Sequence, residues 1–389
     1  MVLATGLVSP DGASSLPAGT VLTPDRLRLV LGWRLREIDV RDATAAQASP
    51  TGDEALRALF ALQPLDEPIP SALFALAGER ADALAASRPA RLCTPRRPPT
   101  ATVPTPEEIL ANDPVLVSLP EIFMRIREVV SDPSSTVEEA TAVISKDPSL
   151  TAKLLKLVNS AFYARTLRMA GGLPPGRVDT LSRAVMLLGL NQLSTLAMGV
   201  SVLPLFKDIP AECVNMAQFW RHSVGVGILT KLLAARLRDP SPERFFVAGL
   251  LHDIGRLVLF KQTPELAAAA LAEAGRSGRL LLDVERELFG FDHAVLGGML
   301  LRKWRFPESL EQAVWRHHDP LAGDVPLEPA LVGVADMIAG AVLPGCSGER
   351  LVPRFHPEIW KLAGLGPTEL PELVATAEAH LEVISSMFS

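Results

Sequence analysis

Between residues 250 and 260 the chain reads LLHDIGRLVLF, so His252 and Asp253 stand inside a run that otherwise belongs in a protein interior. A buried polar group costs free energy unless it finds a partner, and an unpaired buried carboxylate costs most. Any fold this chain adopts must satisfy the pair with a metal ion, a substrate phosphate or other side chains. The constraint recurs along the sequence. Of seven histidines, His222 (FWRHSVGVG), His252, His293 (FDHAVLGG), His317 and His318 (VWRHHDP) share apolar surroundings, as does Asp336 in VGVADMIAG. His356 and His380 lack that setting and read as peripheral, while Trp220, Trp304 and Trp315 near the other histidines read as core.

Imidazole and carboxylate suit one or two divalent ions of Fe, Mn, Zn, Co or Ni, and the lack of cysteine beside them argues against a zinc–thiolate site. One carboxylate can bridge two cations about 3.5–4 Å apart, a pair able to activate a shared water toward phosphorus. Adjacent helix positions differ by about 100°, which would let Asp253 face two ions while His252 serves one. The separations in the series (222 to 252, 253 to 293, 293 to 317, 318 to 336) are 30, 40, 24 and 18 residues, each long enough for a helix and its connection. The donors are therefore expected from several helices converging on one site. Two readings of the set stand at this point: metal ligands, or a buried hydrogen-bond network without metal.

With 389 residues the chain exceeds one compact unit and points to two domains with a linker. Leu and Ala dominate the 48% hydrophobic share, favouring helices. A net charge of -6 gives no global attraction to nucleic acid or an anionic membrane. Cys93, Cys213 and Cys346 are too scattered for a metal knuckle or a redox pair, and the start shows no export signal, so a cytoplasmic location is expected. Residues 1–85 read as a small α+β module, with a helix opening at Thr23-Pro24 and a strand at LREIDV. Residues 86–105, rich in proline and carrying Arg88, Arg91, Arg96 and Arg97, read as a linker.

From 106 to 389 the reading is all-helical. Thr105-Pro106, Asp147-Pro148, Ser241-Pro242 and Thr263-Pro264 each place a capping residue before a proline, which starts a helix and does not break one. Thr136 and Glu139 form a capping box. Leu150, Leu154, Leu157, Val158 and Ala161 make a core stripe, with Asn159 and Ser160 as buried hydrogen-bonding residues. The uncharged stretch 184–206 is long enough to cross a bilayer, but the polar residues around GLNQ fit two buried helices better than a membrane span.

The donor order resembles the HD superfamily of metal-dependent phosphohydrolases. The segments LPEIFMRIREVV, DPSLTAKLLKLVNSAFY, LSRAVMLLGLNQL, FWRHSV, AGLLHDIGRLVLF, DHAVLGGMLLRKWRFP and AVWRHHDP are closer still to the HDOD family, the HD-related output domain of bacterial signalling proteins. Together they cover roughly 112–320 in that family's order, leaving 321–389 as a C-terminal helical extension. The resemblance implies a mainly α, HD-like domain that acts through signalling proteins, with His222, His252, Asp253, His293, His317, His318 and Asp336 as metal positions. A nucleotide second messenger is a further implied partner. Phosphohydrolase or phosphodiesterase activity is the alternative, with Asp253 and Arg256 as catalytic residues. Against it, Arg256 stands where related HD-GYP enzymes carry a phosphate-binding lysine, Gln218 where they carry an extra glutamate ligand, and DPLAGDVP replaces their Gly-Tyr-Pro segment. Arg256 is otherwise expected on a helix surface, paired with a carboxylate.

Overall fold

A computed structural model of the chain describes residues 52–87, 103–111, 120–132, 134–160, 162–163, 178–206, 208–211, 213–321 and 327–386, together with four two-residue strands nearer the start. Two compact units result, Met1–Ala55 and Leu56–Ser389. In the first, Val2–Leu3 pairs antiparallel with Val40–Arg41, and Leu7–Val8 with Ser15–Leu16. The helix expected at Thr23-Pro24, most of the LREIDV strand and the linker arginines lie outside the described residues.

The division falls at residue 55, where the sequence reading ended the N-terminal module at 85. The reason is packing. Leu73, Leu76, Ala77 and Leu84 are buried in one core with the C-terminal helices. Gln63 Nε2 donates to Val352 O and Pro353 O at 2.9 and 2.8 Å. Arg80 grips both oxygens of Glu378 at 2.6 and 3.1 Å.

The regular structure described in the second unit is helical. Pro106, Pro148, Pro242 and Pro264 each open a helix. Thr105 and Asp147 also cap through their side chains, accepting from Glu108 N at 3.3 Å and Leu150 N at 2.9 Å. Ser241 and Thr263 do not cap. Thr263 also closes the preceding helix, and its hydroxyl donates back to Leu259 O at 3.0 Å. The Thr136 capping box forms in full.

Leu150, Leu154, Leu157 and Val158 are buried, and Ala161 lies outside the described residues. Asn159 pins the chain across nineteen positions, donating from Nδ2 to Val178 O at 2.6 Å and accepting from Val178 N at 2.7 Å. Gly189, at φ 88°, separates Leu181–Leu188 from the following helix, and the pair is bent by 118°. Among the described residues no single helix is long and apolar enough to cross a membrane.

Met216–Arg236 is the central helix. Val224, Val226, Ile228, Leu229 and Leu233 have no solvent exposure, so apolar residues cover it nearly all round, the pattern of a helix enclosed by others. Pro242–Leu251, Leu327–Val342 and Leu370–Ser385 pack against it. Each such fully buried side chain contributes about 1.5–3 kcal/mol of transfer free energy. His222 sits in this helix and is thereby fixed to the most deeply enclosed part of the unit.

Candidate metal centre

Six helices and their ends supply the seven side chains. His222 lies within Met216–Arg236 and Asp336 within Leu327–Val342. His252 and Asp253 form the tight junction between Pro242–Leu251 and Ile254–Gln262, not a continuous helix. Asp253 faces both ways from this junction, not through the 100° step of a continuous helix that the sequence suggested. His293 opens its helix because Asp292 caps it, accepting from Val295 N at 3.0 Å. His317 ends Glu308–Arg316, and His318 follows.

The seven converge as two groups, Asp253 with His293, His317 and His318, and His222 with His252 and Asp336; within each group one donor atom per residue lies within 4.8 Å of every other. His293 Nε2 stands 3.0 Å from Asp253 Oδ1 and 2.9 Å from His318 Nε2. His222 Nε2 is 3.1 Å from Asp336 Oδ1. The second oxygen of Asp253, Oδ2, is 3.3 Å from His252 Nε2 and 3.8 Å from His222 Nε2, so this carboxylate faces both groups. Neighbouring donors around a divalent ion with bonds of about 2.1 Å stand about 3.0–3.4 Å apart.

The surroundings fix which ring nitrogens face inward. His252 Nδ1 and His317 Nδ1 each lie 2.7 Å from a carbonyl oxygen, of Gly249 and Val314. A carbonyl only accepts, so Nδ1 carries a hydrogen and Nε2 is the atom turned to the site, where a proton or a cation can sit. His293 Nδ1 meets Glu285 Oε2 at 2.5 Å, and the same oxygen accepts from His293 N at 3.0 Å. This carboxylate–imidazole pairing is the arrangement that orients metal-binding histidines. His222 Nε2, His252 Nε2 and Asp253 Oδ1 have one another or Asp336 and His293 within 3.0–3.3 Å but off hydrogen-bond geometry, and His317 Nε2 is buried without a hydrogen-bond partner. A polar atom buried with no partner, as at His317, costs about 1–3 kcal/mol. Four donor atoms aimed at shared points fit a cation better than packing.

The electrostatics agree. Burial works against the charged forms of Asp253 and Asp336, yet Arg256 and His252 beside the first, and His222 and His252 beside the second, hold both well below the usual carboxylate range. Burial lowers His252, but Asp253 and Asp336 outweigh it and raise the ring to about 10. Burial and Arg256 pull His293 down, while Glu285 and Asp253 raise it to about 9. Burial, with His252 and His293, pushes His317 down to about 3. Protons and cations thus compete for the same nitrogens.

Arg256 is buried, not surface-exposed as the sequence suggested, because Gly255 lets its helix touch the His293 helix backbone to backbone. A Cβ at Gly255 would come within 1.9 Å of His293 O. The guanidinium lies 3.2 Å from Asp253 Oδ2 and donates to Ser347 Oγ at 2.6 Å. His356 and His380 stay outside both groups. Trp220 and Trp304 are core, whereas Trp315 is half-buried under the Arg302 guanidinium. A cleft of about 290 Å³ borders Trp315, Arg286, Arg302 and Arg316 and is lined by none of the seven donors. Sequence reasoning missed Glu285 and Ser347. Glu285 sits in VERELF, where a charged residue reads as surface, and only its place eight residues before His293 hinted at a role.

A match to the HDOD domain spans residues 116–320, more than half of the chain. The chain belongs to the HDOD family. An HDOD domain protein with unknown function from Geobacter sulfurreducens shares the fold at TM-score 0.52 and 25% identity, over 70% of this chain and 91% of its own. A candidate phosphohydrolase from Shewanella amazonensis SB2B aligns at TM-score 0.55 and 25% identity, over 72% of this chain and 99% of that one. An uncharacterised protein of Treponema pallidum (strain Nichols) is 27% identical over 205 residues, which make up 52% of this chain but only 37% of that protein. The all-helical HDOD fold is thus common to the chain and these solved relatives, and Asp336 lies beyond the matched stretch.

Proposed function

We propose that this HDOD protein is a bacterial signal-transduction output module whose buried His/Asp centre holds one or two divalent ions and fixes the helices in one arrangement for recognition by protein partners. The observation that carries the reading is burial. His252 and His293 have no solvent exposure, and Asp253, Arg256 and His317 have 2% each. A phosphoester needs an approach to the ions and a cation free to meet it, whereas Arg256 is already engaged by Asp253 and Ser347. Nitrogen and oxygen donors without thiolate favour Fe, Mn, Zn, Co or Ni. His222, His252 and Asp336 would hold one ion and His293, His317 and His318 the other, with Asp253 between them. Such ions supply Lewis acidity and, in this reading, cross-link six helices. A structural neighbour from Marinobacter aquaeolei VT8, 20% identical at TM-score 0.52 over 96% of this chain and 73% of its own, is described as a candidate signal transduction protein. The free thiol of buried Cys346 suits a reducing bacterial cytoplasm.

A second reading, metal-dependent hydrolysis of a nucleotide or cyclic nucleotide, is favoured by one observation, the Asp253 carboxylate facing both donor groups. Elemental analysis, melting with and without chelator, and hydrolysis assays on nucleotides and cyclic dinucleotides separate the two. The expected outcome is bound metal in the wild type, a lower Tm on chelation, loss of the metal in Asp253→Ala and no turnover. Turnover that disappears in Asp253→Ala would transfer the function to hydrolysis, and wild-type protein that holds no metal when loaded would remove the centre itself.

A further inference from the structure

Residues 344–349, PGCSGE, connect the end of the Asp336 helix to the segment that pairs with Leu59 and Gln63, and they cross directly over the metal centre. The crossing is close. Gly345 has φ +136°, and a Cβ there would meet His222 N at 2.5 Å. Cys346 N donates to Gln218 O at 3.1 Å, one helical turn before His222. This places the Ser347 hydroxyl 2.6 Å from Arg256 Nη1, with both residues 2% exposed.

The pairing is incomplete on the arginine side. A guanidinium carries five N–H donors in a planar fork shaped for two oxygens of one oxyanion. Here Nη1 meets Asp253 and a neutral hydroxyl, while Nε is buried with no hydrogen-bond partner. Charge points the same way. Two divalent ions on the seven donors would bring four positive charges and Arg256 a fifth, against the four carboxylates of Asp253, Asp336, Glu285 and Glu349, a surplus of one. A hydroxyl offers nothing to balance that surplus, whereas an anion would. The strap is neither helix nor strand, so it can leave Arg256 without breaking a hydrogen-bond ladder.

We propose that the 344–349 strap is an autoinhibitory internal ligand: Ser347 Oγ occupies the face of Arg256 that would otherwise bind a tetrahedral oxyanion of the phosphate type, so the chain closes its own anion subsite beside Asp253. The proposal deepens the reading of the same centre and rests on it for the neighbouring ions. It would let a complete donor set stand beside a closed anion subsite. Displacing the strap, by a partner or by substitution, opens the subsite.

The test is calorimetric titration of inorganic phosphate, with a nucleoside monophosphate in parallel, into the full chain, both metal-stripped and metal-loaded. Ser347→Ala removes the competing oxygen, and Gly345→Ala forces the strap off the His222 backbone; circular dichroism and Tm check that each variant folds. Either variant is expected to bind phosphate or the monophosphate about tenfold or more tightly than wild type, the scale of one hydrogen bond to a charged group. Ser347→Ala/Arg256→Gln is expected to lose the gain. Equal affinity in wild type and both folded variants, or a gain that survives without Arg256, would overturn the proposal. Metal content, measured on the same samples, reports separately on the centre.

Discussion

Lys231 and Glu243 are as deeply buried as Asp253, at 2%, 1% and 2% exposure, but their charges end on each other. Lys231 Nζ lies 3.3 Å from Glu243 Oε1 and sits over the Tyr163 and Phe162 rings, 3.4 and 4.3 Å from their centres. In the orientation its neighbours dictate, the Gln192 amide donates to the other oxygen of Glu243 at 2.7 Å. One cation, one anion and two aromatic faces close this cluster with the chain's own atoms. Lys231 Nζ makes no hydrogen bond either, but an anion and two rings surround it, whereas around Asp253 the ring nitrogens face one another, His293 and His318 at 2.9 Å. Burial of polar groups is therefore not what marks a site. The mark is whether the side chains complete each other or all turn toward a point that no side chain fills.

The largest expected effect breaks the closed cluster. Lys231→Met should cost about 3–5 kcal/mol in urea denaturation by stranding Glu243, and Lys231→Met/Glu243→Gln should recover most of it. At the open cluster, His222→Ala/Asp336→Ala removes facing partners in the same way and should recover no metal binding. Recovery there, or its absence at Lys231, would erase the distinction. Next in size, Glu285→Gln should weaken metal affinity about 10–100-fold by freeing the His293 ring while leaving the donors intact. A titration that shows no change would reduce Glu285 to packing.

The smallest effect is a pH dependence. Burial, against the opposing pull of Glu243, lowers Lys231 from 10.5 to about 8. Between those values the unfolded chain holds a proton that the folded one does not, so this residue's contribution to stability is complete above 10.5 and lost as pH falls through 8. Wild type should accordingly gain about 1–2 kcal/mol on Lys231→Met between pH 7.5 and 9.5. A flat difference would mean that Lys231 keeps its proton throughout.

The histidines were legible because imidazole in an apolar run is costly, and the cost itself announces a partner. The helix starts were legible from Thr105-Pro106 and Asp147-Pro148, and the bend at GLNQ from its glycine. Glu285, Lys231 and Glu243 were not, since charged residues on helices ordinarily face water and only tertiary packing encloses these three. Arg256 was misread as exposed for the same reason. The boundary expected at 85 failed because Gln63 and Arg80 bind partners nearly three hundred positions away, at Val352 and Glu378, and no local pattern carries that information.

Asp336 arrives on a helix that begins after residue 320, where the recognisable stretch ends. A fragment trimmed to that stretch would uncover the apolar flank of Met216–Arg236 and leave His222 without the nearer of its two carboxylate neighbours. What identifies this protein is shorter than what can work. Experiments on an excised portion would report on a different molecule, one with a lost ligand and no strap.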